Sequence, residues 1–484
     1  MKVRDVALLS FAGMLLTSAS VYSFGPTPGA SAAVAPPSVP ETAPSVLVAD
    51  GTVASSFEVG STLHVEGRVG NPQIIQGASG ETFVLLEVKS GQGDKAAVAA
   101  PSHLTLVIDR SGSMAGPRLQ NAMSGAVAAV DHLADGDTVS VVAFDTKPAV
   151  IVPATEISSA NRSRIRDAIR GITLGGDTCI SCGIEEALAQ FISRAGTVHR
   201  MIVLSDGDAT AGVRDVPGFR GLAQRARDRG VAVSTVGVGV SYNQKIMGAI
   251  AQESGGGHHF IDDTQSLERV FQAEAEQLRS TVAVNTEATI DLAPGVELEQ
   301  VFDRSFQKRG RQVVVPLGNF AQGETKTVLL KVRVPSRNEG ASAVADVGLS
   351  FRDLVKKEDG RCTGKLGVTV TRDASKVSAL DGVVEGRLQR AETAAVLLQA
   401  NELAEKGKLD EAKARLTTRQ QELEVSAARA KRAAPSRRSG DVEDDFKGQS
   451  SSISEANSNM NKGGPQKPAA AVRRNQEMAN PFMK

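Results

Sequence analysis

Cysteine is scarce in this chain, with three in 484 residues. That scarcity excludes a fold held together by a framework of disulfides, so a buried apolar core has to do the folding. None of the three directly follows the first apolar run, which argues against lipid anchoring through an N-terminal cysteine. An excess of one charge is lacking too: 55 Lys and Arg stand against 55 Asp and Glu. With no global field to draw it to nucleic acid or to an anionic membrane, the chain has to choose a partner through a local site. None of the six His is followed by Glu, so the metalloprotease pattern His-Glu-x-x-His is missing. Beyond residue 32 no apolar run reaches the roughly 18–20 residues needed to cross a bilayer.

What is present divides the chain into parts. At roughly 100–200 residues per domain, this length predicts two or three domains. Lys2 and Arg4 precede an apolar or small-residue stretch from Val6 to Tyr22, and Ala30-Ser31-Ala32 supplies a small-x-small cleavage pattern. Residues 1–32 are therefore expected to be a signal peptide or, if uncleaved, an N-terminal membrane anchor, with the rest exported to the periplasm, the cell surface or the medium. Residues 33–50, which include PPSVPETAP at Pro36–Pro44, read as a solvated linker.

Residues 51–100 and 280–373 show short stretches of period-2 alternation with Gly and Asn between them, the texture of strands. Residues 101–279 differ. Apolar strands (LTLVID from Leu104, TVSVVAF from Thr138, RMIVLSD from Arg200, VAVSTVGVG from Val231) alternate with helical segments. Strands apolar throughout and separated by helices predict a doubly wound, mostly parallel α/β sheet covered on both faces. The first strand-rich segment is too short to stand alone, so the expectation is one β-sandwich into which the α/β domain is inserted. Residues 381–430 read as a helical hairpin broken at Lys406-Gly407-Lys408. Gly407 to Ala412 resembles a tetratricopeptide turn, but one pair is no array, so the hairpin is expected to pack on the body. From 431 to 484 the composition of Ser, Asn, Arg, Lys, Gly and Pro predicts a disordered tail, its charges (Asp441–Asp445, Arg437-Arg438, Arg473-Arg474) serving solvation.

Ligands of a doubly wound sheet bind beyond the carboxyl ends of its strands. There the LTLVID strand ends in Asp109 and continues Arg110-Ser111-Gly112-Ser113, a carboxylate and two hydroxyls on one loop. The loop Leu174-Gly-Gly-Asp-Thr adds Thr178, and the strand ending at Ser205 delivers Asp206. All five are hard oxygen donors of the kind that hold Mg²⁺, Mn²⁺ or Ca²⁺ while leaving positions open. An isolated Asp-x-Ser-x-Ser is more often a helix cap, but three coincident loops are not.

In this order and at these strand ends, Asp109, Ser111, Ser113, Thr178 and Asp206 resemble the von Willebrand factor type A domain and its metal-ion-dependent adhesion site, over about residues 101–278. One residue, Asp177, is inserted in the usual Gly-Gly-Thr. The resemblance implies a divalent cation (Mg, Mn or Ca) held directly or through water, with its shell completed by an Asp or Glu carboxylate of a protein partner. The wider layout resembles bacterial exported proteins described as similar to calcium-activated chloride channel regulators, without implying channel activity.

Cys179 and Cys182 form Cys-Ile-Ser-Cys directly after Thr178 at a helix start. Three readings stay open for them: a disulfide that stiffens the Thr178 loop, a redox switch on metal affinity, or free thiols. Zinc is disfavoured with only two soft ligands close by. Cys362 is a lone thiol or a competitor for one of the pair. His258 and His259 are adjacent on an expected strand and face opposite ways, which suits structural roles better than joint ligation. The expectation is an exported, non-enzymatic protein that engages a protein partner through a cation. The alternatives are an envelope component that assembles through the same domain, or a thiol redox enzyme using Cys179 and Cys182.

Overall fold

Period-2 alternation puts every second side chain of a strand on one face, and the outer parts of the chain use both faces. The computed structural model describes residues 45–48, 54–91, 100–192, 194, 196–239, 242–261, 266–462, 468–479 and 482. The expected signal or anchor segment, 1–32, lies outside the described residues. β1 (Ser45–Val48) falls in the expected linker 33–50 and pairs with β18 (Glu358–Thr371), so the reading of a solvated linker is corrected for these four residues, whose backbone a sheet edge takes up. The first β segment, 51–100, supplies β2 (Ser56–Gly60), β3 (Leu63–Val69), β4 (Gln73–Ile75) and β5 (Glu81–Ser90).

The central segment follows with β6 (Ser102–Asp109), α1 (Pro117–His132), β7 (Thr138–Phe144), β8 (Pro148–Glu156), α2 (Arg162–Arg170) and α3 (Ile180–Gln190). It continues with β9 (Val198–Ser205), α4 (Val216–Asp228), β10 (Val231–Val238), α5 (Gln244–Ser254), β11 (His258–Ile261) and α6 (Leu267–Arg279). Its sheet runs β11-β10-β9-β6-β7-β8, parallel except for β8, which pairs antiparallel with β7 at the edge. In β6, β9 and β10 every residue is buried, as strands covered by helices on both faces must be. One apolar layer packs α1, α2 and α6 on one face and a second packs α3, α4 and α5 on the other. Side-chain caps fix where helices start: Asp215 accepts from Gly218 N and Asn243 from Ile246 N, each contributing about 1 kcal/mol.

A buried ion cluster ties this sheet to α6. Glu274 accepts from Arg200 at 2.6 Å, Ser234 at 2.7 Å and His259 at 2.8 Å. Burial alone would raise the Glu274 carboxyl, but Arg200, then His259 and Ser234, outweigh it and hold the group well below the carboxylate range. His258 meets different partners, Thr235 Oγ1 at 2.8 Å and Tyr242 OH at 3.2 Å, so the adjacent histidines do diverge. Burial, then His259 and Arg473, lower His258 to about 3.

The second β segment gives β12 (Thr281–Leu292), β13 (Glu297–Phe302), β14 (Gln307–Arg309), β15 (Gln312–Ala321), β16 (Thr325–Arg333), β17 (Gly340–Asp353) and β18 (Glu358–Thr371). The two β segments share sheets: β5 pairs with β16 inside the order β13-β16-β5-β3-β2, while β1 heads the order β1-β18-β17-β12-β15-β14 and β4 pairs farther along the same edge of β18. The central α/β unit is thus inserted between β5 and β12 of a sandwich. Val84, Leu86 and Val88 of β5 face the sandwich core with Leu330, Leu349 and Leu366, whereas Leu85 of β5 and Leu329 of β16 face outward.

That outward apolar face is what the C-terminal helices cover: α7 (Gly382–Glu405), α8 (Leu409–Ala433), α9 (Ser439–Lys462) and α10 (Pro468–Ala479). The sequence expectation of a hairpin followed by a disordered tail from 431 is therefore corrected. Val442, Phe446, Ile453, Ala456 and Met460 of α9 are buried against α7 and α8, and their few apolar residues suffice because they all fall on one helical face. The reading of the tail charges as solvation is corrected for three residues. Arg438 bonds Glu66 at 2.5 Å and Glu87 at 3.0 Å, Asp445 accepts from Arg390 at 2.5 Å, and Arg473 donates to Gln244 Oε1. Asp381 both caps α7 and binds Arg68 at 3.1 Å, fixing the helices to the sandwich. Among the described residues no helix is long and apolar enough to cross a membrane.

Candidate functional site

The carboxyl ends of β6 and β9 are adjacent, because the two strands pair in parallel with Ile108 opposite Leu204. Each strand continues into a loop that begins with an aspartate, so Asp109 and Asp206 meet at one edge of the sheet. Both are buried, Asp109 at 0% and Asp206 at 1% exposure. Asp109 Oδ1 accepts from Ser111 N at 2.8 Å and Oδ2 from Ser205 Oγ at 2.6 Å. Ser111 Oγ lies 3.1 Å from Ser113 Oγ, which donates to Asp206 Oδ1 at 2.6 Å. Four of the five expected oxygen donors thus form one hydrogen-bonded chain.

The fifth, Thr178, is set beside that chain by backbone. Gly112 N donates to Gly176 O at 3.1 Å and Gly175 N to Arg110 O at 2.7 Å, which locks the glycine loop onto the Asp-Arg-Ser loop. A Cβ at Gly175 would lie 1.7 Å from Asp145 Oδ2, so only glycine permits this approach. Asp145 in turn binds Arg110 Nη2 at 3.1 Å. Thr178 N donates to Thr210 Oγ1 at 2.9 Å, and Thr178 O accepts from Thr210 N at 2.9 Å, tying it to the loop after Asp206. The inserted Asp177 is exposed, with its N bonded to Thr146 Oγ1 at 3.0 Å.

Sequence reasoning missed four residues here. Ser205, Asp145 and Thr210 position the loops. Arg118 of α1 donates to Asp206 Oδ2 at 2.6 Å and to Ser113 O at 3.0 Å. The only signal in the sequence was adjacency for Ser205, which directly precedes Asp206. Burial raises the Asp109 carboxyl above its ordinary value, hydrogen bonds from Ser111 and Ser205 pull it back, and the Asp206 charge raises it further. Two buried carboxylates in one hydrogen-bonded chain are electrostatically costly, and Arg118 offsets part of that cost at Asp206.

The donor set is made of carboxylate and hydroxyl oxygens, which suits a small hard cation and not a soft one. Among the described residues no group of three or more His, Cys, Asp and Glu is gathered to hold a metal, so a cation here would rest on two carboxylates and the hydroxyls.

Behind Thr178, Cys179 Sγ and Cys182 Sγ lie 1.95 Å apart, at bonding distance, at the start of α3. Gly212, at φ +68°, closes over them; a Cβ there would come within 2.6 Å of Cys179 Sγ. Cys362 is far along the chain in β18, buried and free, its thiol pushed up to about 11 by burial.

Residues 103–273 match the sequence profile of the von Willebrand factor type A domain. YfbK, an uncharacterised protein of Escherichia coli, is 29% identical over 267 residues, covering 52% of this chain and 45% of YfbK. The chain therefore spans less than half the length of that relative. Among solved structures, a von Willebrand factor type A protein from Catenulispora acidiphila gives a TM-score of 0.69 at 17% identity, covering 86% of this chain and 96% of that one. The ArnB paralog VWA2 from Sulfolobus acidocaldarius gives 0.58 at 18% identity, covering 86% and 98%. At such identities the likeness speaks for the fold, and it extends well beyond the central α/β unit.

Proposed function

Because residues 103–273 of this chain are a von Willebrand factor type A domain, we propose that it is an exported, non-enzymatic binding protein that grips a protein partner through a divalent cation. Domains of this type commonly mediate protein–protein interaction or adhesion. The observation that carries the reading is the hydrogen-bonded chain Asp109–Ser111–Ser113–Asp206 at the carboxyl ends of β6 and β9, buried at Asp109, Ser111 and Asp206 and open to solvent at Ser113. Asp109 and Asp206 would contribute charge, and Ser111, Ser113 and Thr178 geometry, toward Mg²⁺, Mn²⁺ or Ca²⁺. When bound, the cation supplies a positive centre with a position left for an Asp or Glu carboxylate of the partner.

Binding is favoured over turnover by the chemistry of the neighbours. The side chains bonded to the oxygen set are Ser205 and Arg118; arginine stays protonated and serves poorly as a general base. Cys179 and Cys182 are at bonding distance, with Cys179 buried and Cys182 half-buried, which suits a disulfide bracing the Thr178 loop. Export rests on Lys2, Arg4 and the apolar stretch Val6–Tyr22.

The test is capture of envelope proteins by the tagged full chain in Mg²⁺ and in EDTA, with Asp206→Asn as control. A partner retained only in Mg²⁺, and only by the unaltered chain, supports the reading. Retention indifferent to EDTA and to the substitution contradicts it.

A further inference from the structure

The chain has 15 Phe, two Tyr and no Trp, and among the described residues Phe306 is the only exposed Phe or Tyr, at 42%. The loop that carries it, between β13 and β14, is fixed at its base. Ser305 Oγ donates to Glu253 Oε2 of α5 at 2.8 Å, and Arg304 Nε to Thr327 O of β16 at 3.1 Å. The ring is therefore presented in one place, without the ordering cost a mobile loop would bring to a binding event. It lines a cleft of about 360 Å³ between the von Willebrand factor type A domain and the sandwich, within the range of roughly 300–1,000 Å³ typical of small-molecule sites.

A bulge in β12 supplies the polar side of the same cleft. The register of β12 slips against β17 between Val284 and Glu287 and against β15 between Ala283 and Thr286. There Asn285 takes φ +54°, a left-handed conformation that asparagine tolerates and most residues avoid. The bulge turns its amide toward the turn between α4 and β10: Asn285 Oδ1 lies 3.0 Å from the place a Cβ at Gly230 would take. Asn285 and Glu287 both line the cleft and are exposed, and among the described residues neither side chain has a hydrogen bond or an ion pair. Gln224 gives its Nε2 to Glu253 at 3.2 Å and keeps its carbonyl oxygen, while Asp228 is 72% exposed and meets Arg227 only at 3.9 Å. The accessible polar atoms are thus mostly acceptors, so the complement is rich in donors. A lone ammonium would use the carboxylates and leave the ring and the amide idle. A sugar ring uses all three, with hydroxyls for the polar atoms and an apolar C–H face for the aromatic one.

We propose that this cleft binds a neutral saccharide, one sugar ring lying on Phe306 and its hydroxyls meeting the Asn285 amide and the Glu287 and Asp228 carboxylates. None of Asp109, Ser111, Ser113, Thr178 and Asp206 lines the cleft, so its failure would leave the cation reading untouched.

The test is an array of immobilised glycans, neutral and amine-bearing, probed with the tagged full chain, followed by isothermal titration of the best-retained neutral glycan. Phe306→Ala is expected to weaken that glycan about tenfold. Asn285→Gly, which keeps the left-handed backbone at no steric cost, is expected to weaken it about fivefold. Both side chains are exposed, and circular dichroism checks that each variant folds; if Phe306→Ala does not, Asn285→Gly carries the same reading from the sandwich side. EDTA and Asp206→Asn should leave the titration unchanged, which separates this cleft from the cation site. No neutral glycan retained, equal binding by the folded variants, or binding lost in EDTA would overturn the proposal. Retention of amine-bearing glycans alone, lost in about 0.5 M NaCl, would mean that the carboxylates select a cation, which overturns it as well.

Discussion

The guanidinium of Arg118 is bonded to Asp206 Oδ2 at 2.6 Å, while Ser113 Oγ holds the other oxygen of the same carboxylate at 2.6 Å. A carboxylate assigned to a divalent cation is thereby partly neutralised by a cation of the chain itself. Any metal has to compete with Arg118 for that oxygen.

Removing the competitor should strengthen metal binding. Arg118 is 41% exposed along its side chain, so water screens much of its charge and the effect is on the order of 1 kcal/mol. Arg118→Gln is expected to bind Mn²⁺ about fivefold more tightly by isothermal titration. Unchanged or weaker binding would mean that Arg118 orients Asp206 instead of opposing the metal.

Ser205 is the hydroxyl that holds the inner oxygen of Asp109, at 2.6 Å and fully buried. Ser205→Ala leaves that oxygen without its donor and should cost about 1–3 kcal/mol in urea unfolding. Loss of less than a few tenths would show that the bond contributes nothing net.

His103 on β6 is 2% exposed, packs 4.6 Å from the Phe191 ring and meets Ser140 Oγ at 3.1 Å. Burial, then His199 and Arg194, lower it to about 4 from 6.5. Between those values the unfolded chain carries the proton and the folded chain does not. Stability therefore rises with pH across the window and falls as pH drops from about 6.5 to about 4, by on the order of 3 kcal/mol from this residue. His103→Gln should make that part of the stability curve less steep, the remaining slope coming from His258, which is lowered as well; an unaltered slope would contradict the assignment.

The C-terminal helices make a different kind of claim. Val442, Phe446, Ile453, Ala456 and Met460 are buried, so hydrogen exchange of residues 442–460 should be slow, as in a docked helix. Exchange at the rate of an unstructured peptide would restore the disordered tail. Arg438→Ala should shorten the protection, since Glu66 and Glu87 each lose one of the cations that face them, Glu66 keeping Arg68 and Glu87 keeping Lys89.

Much of this architecture can be read from the residues. The largely apolar strands at Leu104, Thr138, Arg200 and Val231 announce a sheet covered on both sides, and the structure pairs all four in one sheet as β6, β7, β9 and β10, three of them buried at every residue. The alternation of 51–100 and 280–373 resolves into shared sheets, because β5 has its edges filled only by strands from both segments. The edge strand β8 was not legible, since its residues are mostly half-exposed and its pattern is weak. Nor was α9: a composition of Ser and Asn hides apolar residues that recur at spacings of four, seven, three and four from Val442 to Met460. At the site, Asp109, Ser111, Ser113 and Asp206 come together because strand ends fix them. Arg118, Asp145 and Thr210 were invisible because their contacts depend on how three loops fold against one another.

The central claim is that Asp109 and its neighbours hold a divalent cation. The most direct measurement is isothermal titration of the full chain with Mg²⁺, Mn²⁺ and Ca²⁺ in acetate, which supplies the free carboxylate expected of a partner, beside Asp109→Asn. The account predicts one site that is filled in the unaltered chain and lost in the variant, with circular dichroism unchanged. No heat from any of the three cations, or equal binding by a folded Asp109→Asn, would contradict it.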